Sequence, residues 1–253
     1  MWRRTSPTEA SDYVDDVING GRGDAYNAAI ARVRKRLNVD KGQEGDFEVL
    51  GRQVVQADGC SIKVHQKNYV EKIKPIHVGK ARRSTPTEPF TAEEKGAYRG
   101  LNGELSWPAR QSLPGLAVHA SILQQRTEQG TVADLLKGNL ALRKAKDMVR
   151  EGVCLNFPAR PESDGWAVGV LPDASCANLD KERSQGGYNI LVSSPKLFEE
   201  EDYVNVVAWQ STKLKRVLRS TLATEAATAS IADRGQYIRT LLSELLYDAS
   251  RQG

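Results

Sequence analysis

The chain has 253 residues, 40% hydrophobic, 27% charged and 6% aromatic, with a net charge of +4 and a pI near 8.9. That composition fits folded protein of one large or two small domains, and no run approaches the roughly 18–20 apolar residues a helical membrane span needs. Three cysteines without CxxC spacing speak against a disulfide framework or a zinc knuckle, and the polar start "MWRRTSPTEAS" speaks against a signal peptide. The expected setting is therefore intracellular, and the mild positive charge permits a nucleic-acid partner without demanding one.

Residues 12–18 read as a strand and "NGG" at 19–21 as a turn. Asp24 is placed to cap a helix whose apolar residues Ala25, Ala28, Ala29, Val33 and Leu37 fall at helical spacing. "GDFEVLGRQVVQADGCSIKVHQ" predicts two strands joined by the turn "ADG" at 57–59. "KNYVEKIKPI" predicts a short helix stopped by Pro75. A loop rich in proline, threonine and charge (79–91) is the first candidate boundary, and Thr91 with Glu94 forms a capping box for the next helix. Helices are expected over 92–106, 114–128 and 131–152, with Pro108 and Pro114 punctuating the first join. Asp134, Lys137, Arg143, Lys144 and Lys146 are assigned to the wet side of the third; Leu135, Leu136, Leu140, Leu142 and Ala145 supply its apolar surface.

After Gly152 the pattern changes. Strands are predicted at 153–159, 165–175, 186–194 and 203–211, then a long helix over about 219–247. Strands followed by a helix that carries acids indicate an α+β or α/β layout. Local basic runs stand at 31–37, 72–83 and 211–220; each suits a phosphate backbone or, equally, a solvated face.

Asp15 and Asp16 stand side by side between Tyr13, Val14, Val17 and Ile18. Two like charges at contact distance repel, and a shared divalent cation removes that penalty. Magnesium prefers oxygen ligands and leaves room for substrate phosphates. Two such ions can activate a hydroxyl and stabilise a pyrophosphate leaving group. The plainer alternative is a polar strand end.

Tyr13-Val14-Asp15-Asp16 resembles the YxDD box of reverse transcriptases, and the order of segments behind it is similar to the copia-type retrotransposon polyprotein. "GDFEVLGRQV" resembles that family's "YFLG" segment, and "CSIKVHQKNYVEKI" its strand plus "Q-x-x-Y" helix. "YRGLNGELSWPARQSLPGLAVHASILQ" (98–124) is similar to its "YRSLIGSLLYLA…RPDIAFAVS" block. This chain departs from the block at Ser112-Leu113-Pro114-Gly115, where the family usually has Arg-Pro-Asp.

The C-terminal third resembles the family's ribonuclease H segment through "LPDASCAN" (171–178), "SQGGYNILV" (184–192) and "VVAWQSTKLKRVLRSTLATEA" (206–226). Asp173 closes an apolar strand and Glu225 lies on the first half of the last helix, so both can converge on one metal ion. Otherwise Asp173 is a turn residue after Pro172 and Glu225 a solvent-facing helix residue. Ser175 and Trp209 read as structural.

The resemblance implies an α+β chain in three parts: residues 1–78 as the C-terminal part of a reverse-transcriptase palm, 79–152 as a helical thumb or connection, and 153–253 as a truncated ribonuclease H-like sheet with one long helix. It implies catalytic and metal-binding roles for Asp15, Asp16, Asp173 and Glu225. It implies magnesium or manganese as cofactor, its retention in this chain left open. Tyr13, Lys213, Lys215, Arg216 and Arg219 become candidate contacts to RNA, DNA or an RNA–DNA hybrid. Other polyprotein segments are implied partners, and a cytoplasmic particle or the nucleus the implied location.

Both acid sets look incomplete in sequence. Only 12 residues precede Tyr13, and the chain stops soon after the acidic helix; Asp248 reads as a helix-end residue rather than a further ligand. Polymerase activity from this chain alone is not expected. Two other functions compete with that of a polymerase fragment: a non-catalytic nucleic-acid-binding protein derived from a retroelement, and an unrelated metal-dependent phosphohydrolase.

Overall fold

Between Val49 and Arg52 the chain reverses through Leu50 and Gly51, both at positive φ (50° and 68°). That is the backbone of a two-residue hairpin turn whose twist suits antiparallel strands. In the computed structural model, which describes residues 23–37, 43–57, 61–158, 165–179 and 182–231 together with 233, 237, 240, 241 and 244, this turn splits the first expected strand into two. β1 (Asp46–Val49) and β2 (Arg52–Gln56) form the hairpin, and β3 (Ile62–His65) and β4 (Leu155–Phe157) extend it into an antiparallel sheet of order β1-β2-β3-β4. The sequence conceals the turn because leucine is an unfavourable residue at positive φ. Leu50 is 46% exposed, so it contributes little burial in compensation. Replacing it with asparagine should raise the urea midpoint by the equivalent of about 0.5–1 kcal/mol, by relieving left-handed strain.

The helix expected after the glycine turn is α1 (Gly23–Leu37), with Asp24 inside its first turn and Arg34, Lys35 and Arg36 in its last, both favourable to the helix dipole. Its apolar row is not a buried one: Ala25 and Ala28 are exposed and Val33 is 37% exposed. The expected strand over 12–18, with Tyr13, Asp15 and Asp16, lies outside the described residues, as does Asp248.

The middle of the chain supplies the main core. α2 (Lys67–Lys72), α3 (Lys80–Arg83), α4 (Ala92–Gln111), α5 (Ala117–Gln125) and α6 (Val132–Arg150) enclose Tyr98, Leu101, Leu105, Leu113, Leu116, Val132, Leu135 and Leu142. The predicted capping box is present: the Thr91 N–H donates to Glu94 (2.9 Å) and the Glu94 N–H to Thr91 Oγ1 (3.2 Å).

Three expectations in this region need correction. First, α4 does not stop before Pro108 but runs through it to Gln111. Proline has no N–H to give the carbonyl four residues earlier, and Tyr69 Oη donates to that Glu104 carbonyl instead, at 3.3 Å. Second, Asp134 is not on the wet side of α6: it is 4% exposed and accepts from the Thr131 N–H (2.9 Å) and hydroxyl (3.3 Å), closing the helix N-terminus. Third, Leu140 is 42% exposed rather than part of the apolar seam. β4, expected at the head of the C-terminal unit, pairs with β3, so α6 returns the chain to the first sheet.

The second sheet is antiparallel, of order β5-β6-β7, built from β5 (Ala167–Leu179), β6 (Arg183–Ser193) and β7 (Asn205–Lys213). α7 (Thr221–Ile231) packs across β5 and β6, and Tyr237, Thr240, Leu241 and Glu244 are also helical. The chain is thus α+β with antiparallel sheets. No helix among the described residues is long and apolar enough to cross a membrane.

Candidate nucleic-acid interface

Asp173 lies within β5 rather than at its end, because the strand continues through Pro172 to Leu179. A proline is tolerated there on an edge strand, where no further ladder needs its N–H. Asp173 is therefore not a turn residue; it opposes Gly187 on β6 and is exposed.

Opposed residues of an antiparallel pair share a face. Ala174 opposes Gly186, and a Cβ on Gly186 would lie 2.6 Å from Thr228 Oγ1 and 2.9 Å from Leu214 Cδ2. α7 therefore covers the face of Ala174 and Gly186, a close approach that only glycine permits. Asp173, one residue away, points to the other face. Glu225 follows the wholly buried Thr224 on α7 and is itself half-buried, not solvent-facing. The structure brings both acids to one small sheet-and-helix unit but carries them on opposite sides of the sheet. An ion shared by both would have to sit at the open edge of β5. Among the described residues, no group of three His, Cys, Asp or Glu side chains converges on a point.

Lys213 ends β7, and Lys215, Arg216 and Arg219 occupy the connection to α7; all four are exposed. A run of exposed cations in one loop can meet a phosphate backbone without defined partners in the protein.

Trp209 is fixed by the helical core. Its Nε1–H donates to the Ala109 carbonyl at 2.7 Å, one of the last-turn carbonyls of α4 that has no partner within its own helix. A second tie runs through Gln185, 4% exposed on β6. Its Nε2 donates to Ser121 Oγ on α5 (2.9 Å) and Ser211 Oγ on β7 (2.8 Å), and its Oε1 accepts from Gln125 Nε2 at 3.1 Å. A buried polar network with its members partnered fixes one arrangement of the parts it joins. The sequence marks Trp209 as structural but not Gln185, whose only signal is an amide entering a glycine-rich strand.

Beside these ties, α4 and α5 face β6 and β7 across a cleft of about 400 Å³. Its wall includes Ser106, Arg110, Gln124, Trp209, Gln210 and Thr212. Nothing in the sequence announces this cleft, because its residues come from four elements.

Comparison with protein-family models, with curated proteins and with solved structures finds no match for this chain.

Proposed function

We propose that the chain is part of a copia-type retroelement polymerase: the C-terminal portion of a reverse transcriptase joined to a portion of its ribonuclease H region. In the intact parent the activity is two-metal phosphoryl transfer on nucleic acid, with Asp15 and Asp16 at one centre and Asp173 and Glu225 at the other, on magnesium or manganese. The collinear motifs support this reading. The single structural observation behind it is the succession of three antiparallel strands and a helix, with Asp173 on the first strand and Glu225 in the first half of the helix.

A second reading, non-catalytic binding of RNA, DNA or their hybrid, is favoured by a different observation. Asp173 and Glu225 lie on opposite sides of the sheet, whereas Lys213, Lys215, Arg216 and Arg219 are exposed together. We place this chain's own activity there, in a cytoplasmic particle or the nucleus, alongside other segments of the polyprotein.

The test is hybrid binding by fluorescence anisotropy across a salt series, with magnesium-dependent cleavage followed in parallel. Each phosphate contact contributes about one unit to the log–log salt slope. Changing the four cations to alanine should therefore flatten that slope by up to about four units. Asp173→Asn should leave binding unchanged. Cleavage that disappears in Asp173→Asn would instead show that the chain retains nuclease chemistry. Binding that is absent, or indifferent to salt, removes both nucleic-acid readings.

A further inference from the structure

The cleft between the helical core and the second sheet runs along β7 beside α5 and has its own chemistry. Of its lining residues, nine carry a polar side-chain group and three are alanines, and the one charged side chain is that of Arg110. Arg110 is exposed and makes no hydrogen bond or ion pair among the described residues. A planar guanidinium without a carboxylate partner, at the rim of a polar cavity lined by no acid, is suited to a multiply charged oxyanion such as phosphate.

The remaining groups suit more than phosphate. Trp209 is held in place through Nε1, so its ring is ordered before any ligand arrives. An aromatic ring fixed in this way offers a stacking surface for a base. Gln124 on α5 carries amide donors and an acceptor, as recognition of a base edge or a ribose requires. A volume of about 400 Å³ lies in the range of small-molecule sites. Thr212, at one end of the lining, leads directly into Lys213 and the loop cations, so positive charge continues outward from the cavity.

We propose that this cleft binds one nucleotide unit, its phosphate on Arg110 and its base against Trp209 with the Gln124 amide at its edge. The ligand is either a free nucleotide or one unit of a strand. For the strand the proposal rests on the nucleic-acid reading of the chain; for the free nucleotide it stands without it.

The experiment titrates the full chain with AMP, with adenosine, with inorganic phosphate and with a short single-stranded oligonucleotide, following tryptophan fluorescence and calorimetric heat. AMP should bind more tightly than either adenosine or phosphate. Arg110→Ala should weaken AMP by at least about tenfold at unchanged thermal midpoint, since a charge-assisted phosphate contact is lost from an exposed residue. Ala117→Leu, which fills the cleft from its half-buried wall, should weaken it comparably. Saturation by AMP identifies a free nucleotide; binding of the oligonucleotide alone, still sensitive to Arg110→Ala, identifies a unit within a strand. If AMP binding survives in the Lys213/Lys215/Arg216/Arg219 alanine variant while hybrid binding is lost, cleft and loop act separately. Absence of binding by both AMP and the oligonucleotide, or equal affinities in wild type and Arg110→Ala, overturns the proposal.

Discussion

Gly130→Ala is expected to destabilise the protein by about 2–3 kcal/mol through overpacking, although it adds one methyl group. That carbon would lie 2.2 Å from Phe90 Cε2, 2.3 Å from Phe90 Cζ and 2.7 Å from the Arg126 carbonyl oxygen. The backbone oxygen cannot swing aside, and Phe90 is held on two sides. Its N–H donates to the Gly130 carbonyl at 3.1 Å, and its ring packs on Tyr98 with centroids 4.9 Å apart. The segment before α4 is also laced to the start of α6: Val132 N–H donates to the Glu88 carbonyl (3.0 Å) and Ala133 N–H to that of Pro86 (2.9 Å). Relief of the clash must therefore disturb either that lacing or the Phe90–Tyr98 contact inside the main core. Urea unfolding should show a lower midpoint at unchanged slope. Gly100→Ala on α4 is the control. Nothing lies within 4 Å of its added carbon, so it should be neutral or stabilising by up to about 1 kcal/mol. If Gly130→Ala behaves like the control, Phe90 does not pack tightly against Gly130.

Glu94→Ala should cost about 2–3 kcal/mol, because hydrogen bonds to charged groups are worth more than neutral ones and several are lost together. Arg82 holds Glu94 with two parallel bonds, Nε to Oε1 at 2.9 Å and Nη2 to Oε2 at 2.8 Å. The same guanidinium donates to the Pro89 carbonyl at 2.9 Å and pairs with Glu88. Glu94 also accepts from the Thr91 N–H, so one carboxylate caps α4 and anchors α3 against it. The pair is only partly exposed, at 27% for Arg82 and 16% for Glu94, and screening by water is correspondingly incomplete.

The same contacts set a pH dependence. The Arg82 hydrogen bonds, opposed by burial and aided by the Thr91 N–H, lower the Glu94 carboxyl from 4.5 to about 2. A carboxyl whose folded pKa is depressed stabilises the fold fully above its unfolded value and loses that contribution as pH falls toward the folded one. The wild-type advantage over Glu94→Gln should therefore be constant at neutral pH and shrink between about pH 4.5 and pH 2. Chemical denaturation at a series of pH values measures it; a pH-independent difference between the two would exclude the ion pair as its source.

The helical middle of this protein was legible in the sequence because its signals are local. The Thr91 capping box involves residues three apart, and the apolar rows of α4 and α6 repeat at the helical period. The three C-terminal strands and the helix behind them could be read for the same reason. Helical character at Tyr237, Thr240, Leu241 and Glu244 also agrees with the apolar spacing there. Local signals misplaced what other parts of the chain decide. Pro108 looks like a helix end until Tyr69 supplies the donor its neighbour lacks. Asp134 looks wet until Thr131 closes over it. Leu50 gives no hint of a turn, because the constraint comes from strand pairing and not from leucine's own preference.

The candidate site divides along the same line. Sequence order alone placed Asp173 on a strand, Glu225 on a helix and four cations at the end of β7 and in its connection to α7, since these depend on position along the chain. On which side of the sheet each acid lies depends on which face α7 covers. That was settled at Gly186, where a missing Cβ lets Thr228 approach. The cleft at Arg110, like the ties through Gln185 and Trp209, exists only because residues far apart in the chain, Trp209 and Ala109 among them, meet at one junction. Periodicity within a segment fixes which residues share a face; only packing between segments decides what that face meets.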